Sequence, residues 1–411
     1  MSIAANQQRT LLLLLAQLRP HWRTDRNLPA RIQKLLTSNR AFGSRDRRLY
    51  RELIYTTLRY LPWIEPSLDS HPDLATRLIA WLAADSPATE KFRSALLSDW
   101  PAPPASVAEK SAFISQQLDL PTPLPPPLPA WFRSPDHCPA AFESPHVDVL
   151  LTRAPLWLRL QTPDTSIVTD EFTRLNWRYE FSPVLPTALQ LLDEVDVTKT
   201  SAFTNGLVEI QDLGSQLLLA SAALSRGGRW LDACAGAGGK TLQLAHLLGP
   251  TAEIHAHDIR PAALAELSAR AQRAHLQNIR ILRPAPAATE LYDGVLVDAP
   301  CSGSGTWRRA PHLKWTTTPA QIAEASALQQ QLLVRFAQHV RPGGQLLYAT
   351  CSLSHVENES VISTFLATHP TFALLPPARP FAAPPTPHGL TFLPTLHNTD
   401  GFFIAHLRRT S

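Results

Sequence analysis

Two cysteines close apolar runs in the last third of the chain, and a serine follows each. Cys301 lies in Val297-Asp298-Ala299-Pro300-Cys301-Ser302-Gly303-Ser304-Gly305, and Cys351 in Leu347-Tyr348-Ala349-Thr350-Cys351-Ser352-Leu353. An apolar run that breaks into small, polar residues predicts a strand ending in a loop. In an open α/β sheet the carboxyl ends of the strands border the ligand crevice. Two thiols placed there point to thiol chemistry, although a buried cysteine taken alone is more often an inert small hydrophobe. Four cysteines in 411 residues are too few for a disulfide scaffold. No CxxC and no paired Cys/His spacing suits zinc, so no metal is expected.

A second stretch, Arg229-Trp230-Leu231-Asp232-Ala233-Cys234-Ala235-Gly236-Ala237-Gly238-Gly239-Lys240-Thr241, runs from apolar residues through an acid into a glycine-rich turn and a helical pattern. Glycines in such a turn let the backbone approach a ligand closely. About 19 residues past Gly239, the run Ile254-His255-Ala256-His257-Asp258 ends a second strand in an acid, a spacing at which a carboxylate can accept ribose hydroxyls. A P-loop is disfavoured because its first glycine would fall on Cys234. The dinucleotide fingerprint is only half present. An adenosine ligand without a phosphate chain fits the turn better, and S-adenosylmethionine is such a ligand. A glycine turn with no ligand is the bland alternative.

The stretches combine into an ordered set. Asp298 to Gly305, then Arg308-Arg309-Ala310-Pro311-His312-Leu313-Lys314-Trp315, then Tyr348 to Leu353, resemble the RNA cytosine-C5 methyltransferases of the RsmB/Sun (Fmu) family. The loop Cys234 to Lys240 resembles that family's cofactor motif, and Gln211-Asp212-Leu213-Gly214-Ser215-Gln216 the segment before it. Asp400-Gly401-Phe402-Phe403 resembles its closing strand, and Pro155-Leu156-Trp157-Leu158-Arg159 the start of its small RNA-binding subdomain. The loop has Ala-Gly-Ala-Gly-Gly where the family more often has Ala-Ala-Pro-Gly-Gly. The acid usually found after the third strand, near the adenine, is missing from Ile281-Leu282-Arg283-Pro284-Ala285-Pro286, so the adenine contact is open.

The resemblance implies an S-adenosylmethionine cofactor held by Cys234, Ala235, Gly236, Ala237, Gly238, Gly239 and Lys240 with Asp258 and Asp298. It implies Cys351 as the nucleophile and Cys301 as the group that assists release. Enzymes that methylate DNA at the same carbon use the Pro-Cys cysteine, here Cys301, which sets the alternative. Cytosine C5 attacks a sulfonium methyl poorly. A thiolate added at C6 makes C5 enamine-like, splitting one hard step into easier ones. Asp298 is expected to hold the cytosine edge and Lys240 to stabilise charge developing on the ring. The base must leave its stack to reach a thiol, which favours single-stranded or loop RNA. The implied substrate is small-subunit ribosomal RNA. Alternatives are transfer RNA, or a non-catalytic RNA-binding or ribosome-assembly protein on the same fold.

These residues need a scaffold. Residues 206–411 alternate strand and helix, predicting a Rossmann-like α/β methyltransferase domain with a mostly parallel sheet, and Thr391–Leu396 with Phe402–Leu407 predict an antiparallel pair. Residues 1–100 show helical spacing, as in Leu49, Leu53, Ile54 and Leu58, and resemble an all-helical NusB-like RNA-binding domain. Residues 101–129 are proline-rich and predict a stiff, extended linker. Residues 130–205 predict a small α+β RNA-binding subdomain, with Trp157–Leu160 as a strand. The net charge of +4 is uneven: residues 1–60 carry 12 Lys or Arg against 3 acids, about +9, leaving about −5 elsewhere. Arg45, Arg47, Arg48, Arg51 and Arg59 thus suggest a phosphate-binding face, against the alternative of a solvated helix face. The apolar run Leu11–Ala16 is too short to span a membrane and carries no signal-peptide pattern. The expectation is a cytoplasmic, monomeric enzyme with an RNA partner and no membrane association.

Overall fold

Apolar runs bounded by small residues become strands throughout the second half of the chain. The computed structural model describes residues 2–411 and divides into two units: Met1–Arg153 with Thr306–Thr318, and Ala154–Gly305 with Pro319–Ser411.

The second unit contains two sheets. Strands β1 (Leu156–Leu160), β2 (Tyr179–Phe181), β3 (Ala188–Leu191) and β4 (Val208–Ile210) form an antiparallel sheet in the order β2-β3-β1-β4. Val168 and Phe172 of the helix Ser166–Arg174 close its core with Leu158, Leu189 and Val208. The larger, nine-stranded sheet comprises β5 (Arg229–Asp232), β6 (Glu253–Ala256), β7 (Ile279–Ile281), β8 (Tyr292–Asp298), β9 (Val340–Thr350), β10 (Phe372–Leu374), β11 (Pro385–Thr386), β12 (Gly389–Phe392) and β13 (Phe402–Arg409). Its order is β11-β12-β13-β9-β8-β5-β6-β7, with β10 on β13. Strands β5 to β9 run parallel and β13 antiparallel to β9. The parallel strands are buried on both faces and read as near-continuous apolar runs: Val295, Leu296 and Val297 of β8 and Leu346, Leu347 and Tyr348 of β9 are all fully buried. This is a Rossmann-like methyltransferase fold. The strand order reverses between β5 and β8, the switch point where doubly wound sheets bind ligands.

The expected antiparallel tail is present in β12 and β13. Its first strand is shorter than Thr391–Leu396, because Pro394 opens a one-turn helix, Pro394–His397.

The first unit is helical. The helix Ile3–Leu18 buries Leu11, Leu14, Leu15 and Leu18, one stripe at i, i+3, i+4 and i+7, and the Ser2 hydroxyl caps it by accepting from the Ala5 N–H. The helix Ser44–Arg59 buries Leu49, Leu53, Ile54 and Leu58. This helical region fits a NusB-like domain. The proline-rich stretch differs from an extended linker: Val107–Gln117 is a helix, with Ser106 as its cap. The prolines flank this helix and none lies inside it. Segment Thr306–Thr318, by chain position amid the methyltransferase strands, packs within the helical unit. Trp307 lies 4.6 Å from the Phe132 ring. The buried Lys314 ammonium donates to the Arg59 carbonyl at 2.6 Å and the Pro127 carbonyl at 3.1 Å. Among the described residues no helix is long and apolar enough to cross a membrane.

Candidate active site

Strand β5 delivers its last residue, Asp232, to the switch point. Asp232 is fully buried and accepts the Thr241 hydroxyl at 2.7 Å; burial pushes its carboxyl up to about 7. The chain then turns through Gly236 (φ 54°) and Gly238 (φ 89°) into the helix Gly239–Leu248. Both glycines occupy the left-handed region that other residues avoid. At Gly238 a Cβ would also lie 2.6 Å from Leu267 Cγ. The loop is stitched to the end of β6: the Ala235 N–H donates to the His257 carbonyl at 2.9 Å, and the Gly236 N–H to Asp258 Oδ2 at 2.8 Å. Arg270 donates to the Ala237 carbonyl at 2.8 Å and also pairs with buried Glu209 on β4. The Cys234 thiol is pushed up by burial and by Asp232, so it contributes backbone to the loop and no reactive sulfur.

Asp258 accepts the Arg260 N–H at 2.8 Å and its guanidinium at 2.9 and 3.0 Å. Burial opposes the charged form, but the Arg260 side chain and the N–H groups of Arg260 and Gly236 outweigh it and hold the carboxyl low. The Arg260 side chain is 67% exposed. Ile259, between them, is 85% exposed. Sequence reasoning passed over it, although a large apolar residue directly after a strand-ending acid was a usable signal.

Strands β8 and β9 bring the remaining groups together. They are parallel neighbours, with Asp298 opposite Ala349, so the loops after them open on the same side. Cys301 Sγ lies 3.3 Å from Cys351 Sγ. The bond to Cys351, with burial, holds the Cys301 thiol well above its ordinary value. The same bond pulls Cys351 below its own, against burial and Asp298, with help from Lys240. At this distance either sulfur can donate to the other, and the opposed shifts run in the direction that leaves the proton on Cys301. Lys240 reaches over from the second residue of the loop helix and pairs with Asp298 at 2.8 Å. Burial alone would lower the ammonium, but Asp298 outweighs it and holds Lys240 above its ordinary value. Its side chain is 11% exposed and that of Asp298 29%, so the acid is the more accessible member of the pair.

Sequence reasoning missed Glu357. It is fully buried, and its carboxylate accepts the Ser302 N–H at 2.7 Å, the Ser302 hydroxyl at 2.5 Å, the Ser352 hydroxyl at 2.6 Å and the Gln329 amide at 3.1 Å. The serines after the two cysteines thus meet on one acid. No group of three or more His, Cys, Asp or Glu side chains able to hold a metal occurs among the described residues.

Residues 220–408 match the family model described as 16S rRNA methyltransferase RsmB/F. Over 270 residues the chain is 36% identical to ribosomal RNA small subunit methyltransferase B of Pasteurella multocida, covering 62% of this chain and 59% of that one. The chain spans about three fifths of the length of the curated relatives it matches. A methyltransferase homologue from Pyrococcus horikoshii is 26% identical, with a TM-score of 0.56 over 64% of this chain and 89% of that one. The crystal structure of PH0851 shares the fold across 99% of both chains, with a TM-score of 0.73 at 23% identity. The motifs of the loop, of Cys301 and of Cys351 all lie inside the stretch, residues 220–408, that resembles the RsmB/F methyltransferases.

Proposed function

We propose that this protein methylates C5 of a cytosine in RNA, with S-adenosylmethionine as methyl donor and Cys351 as nucleophile, and that the RNA is that of the small ribosomal subunit. The observation that carries this reading is the 3.3 Å pair of thiols in the loops after two adjacent strands, with the Lys240–Asp298 pair beside them. The RsmB relatives point to the RNA class.

The cofactor fits the residues present. The glycine turn leaves backbone room, and the N-terminus of the helix Gly239–Leu248 offers unpaired N–H groups to a carboxylate. Asp258 is a low-lying carboxylate for ribose hydroxyls once the exposed Arg260 side chain yields. Ile259 gives an apolar face for adenine, in place of the acid missing near Ala285. S-adenosylmethionine, when bound, supplies an electrophilic methyl group. Cys351, as thiolate, adds to cytosine C6 and makes C5 nucleophilic. Asp298 holds the exocyclic edge of the base, and Lys240 stabilises negative charge as it develops on the ring. Cys301 then serves release: as thiolate it takes the C5 proton, the C5–H electron pair restores the C5–C6 double bond, and the C6–S bond breaks to return Cys351 as thiolate. The helical unit, residues 1–100 in the first instance, and the small sheet β1–β4 carry RNA affinity. The enzyme works in the cytoplasm as a monomer.

The test is to map 5-methylcytosine in RNA from cells with and without this protein. One small-subunit rRNA cytosine should lose its methyl group when the protein is absent. Loss confined to transfer RNA would move the assignment to that substrate. No loss in any RNA, with no methyl transfer by the purified protein, would leave a binding protein on a methyltransferase fold.

A further inference from the structure

We propose that Glu357 is a positioning residue that sets the two cysteines as a donor–acceptor pair by holding the serine after each of them on one carboxylate. This rests on the reading of Cys351 as nucleophile and Cys301 as its partner.

The geometry is specific. The Ser302 and Ser352 hydroxyls converge on the same oxygen, Oε2, at 2.5 and 2.6 Å. The other oxygen takes the Ser302 N–H and the Gln329 amide. Two loops from different strands are thereby fixed at the residue next to each thiol. The acid is itself held in place: the Tyr348 hydroxyl donates to the Glu357 carbonyl at 2.6 Å, and Asn358 donates to the Ser352 carbonyl and accepts from Thr350. A fully buried carboxylate is costly unless it is well hydrogen-bonded, and the four donors here are neutral. Packing alone could have joined β8 and β9 with an apolar residue. What an acid adds is directional, two-sided attachment, strongest when the acceptor is charged. A hydrogen bond between two thiols depends on distance and angle, so drift of either loop would uncouple them.

The test reads the thiols without RNA or cofactor. Cys351 is faced by Asp298 at the end of β8 and Cys301 after it, by Lys240 of the loop helix, and by Asp400 ahead of β13, and all are left unchanged. Iodoacetamide alkylation of each cysteine is followed by mass spectrometry across pH in the full chain, in Ser302→Ala, in Ser352→Ala and in the double variant. Each serine variant should slow Cys351 alkylation at pH 7 by about tenfold and move its midpoint upward. The double variant should be no slower than the worse single one, because either substitution already breaks the shared attachment. Cofactor affinity by calorimetry should stay at the wild-type value. Glu357→Gln, which keeps an acceptor and the shape, should recover part of the reactivity lost in Glu357→Ala. Wild-type alkylation profiles in both serine variants, strictly additive losses, or a parallel loss of cofactor binding would each overturn the proposal. Full RNA methylation by Cys351→Ala would instead count against the assigned reaction, whatever the alkylation profiles show.

Discussion

At the scale of single residues, the chemistry turns on which sulfur ionises. Cys351→Ala removes the attacking group and should abolish both methylation and any covalent protein–RNA adduct. Cys301→Ala should still let Cys351 attack, so that the methylated base leaves slowly and a denaturation-resistant adduct accumulates. Both variants remove one sulfur from adjacent strand ends, and a general folding defect would affect them alike. A denaturing gel with labelled RNA and cofactor separates them; an adduct trapped by Cys351→Ala and absent in Cys301→Ala reverses the roles. The pH dependence has a definite sign. The thiolate is the nucleophile, so kcat/KM should rise with pH and level off below the ordinary thiol range, because Cys301 and Lys240 lower Cys351. In Cys301→Ala the donor is gone, and the rising limb of the single-turnover adduct rate should move to higher pH. The two thiols, Asp298 and Lys240 stand out in the sequence because each lies at or just past a strand end, or opens a helix, within a recognisable run. Glu357 does not: it ends a single 3-10 turn, His355–Glu357, after Cys351, and only folding shows that its acid faces inward onto two serines.

At the scale of elements, the site depends on how strand β5 turns into a helix. Gly238→Ala places a Cβ at positive φ, costing roughly 1–2 kcal/mol in backbone strain, and drives it against Leu267. The melting temperature should drop, and cofactor affinity should fall with it, since the same turn carries the helix N-terminus. Asp258→Ala leaves the turn intact but strips its acceptor, and should cost about 1–3 kcal/mol of S-adenosylmethionine affinity by calorimetry. Tight ATP binding, or no cofactor binding by the wild type, would sink this reading of the turn. Strands β5, β8 and β9 were readable from their apolar runs because parallel strands buried on both faces leave that signature. The helix Val107–Gln117 was hidden by the prolines around it, although Ser106 and Glu109 carry the spacing of an N-terminal capping signal. The placement of Thr306–Thr318 had no local signal at all. Its Trp307, Arg308 and Lys314 look like a mixed surface segment, and only tertiary contacts make them buried.

At the scale of the whole molecule, the question is where RNA affinity comes from. The positive charge gathered in residues 1–60 is only partly available. Arg45, Arg48 and Arg51 are exposed along the helix Ser44–Arg59. Arg59, expected on the same face, is buried and donates to the Arg308 carbonyl at 3.0 Å, because the end of that helix turns inward. Deleting residues 1–100 would be a poor test of the charged face, since Lys314 and Trp315 bond the Arg59 and Leu58 carbonyls and would lose both these partners and the surface that covers them. Replacing Arg45, Arg48 and Arg51 with glutamine keeps the helix and removes only charge. If all three meet phosphates, the slope of log K against log salt should flatten by about 2, at roughly 0.7 per single-stranded phosphate contact. RNA affinity should fall at low salt and converge on wild type at high salt, while cofactor binding stays the same. An unchanged slope would make this helix face solvated surface only, and would leave the small sheet β1–β4 and the crevice after β8 and β9 to hold the RNA.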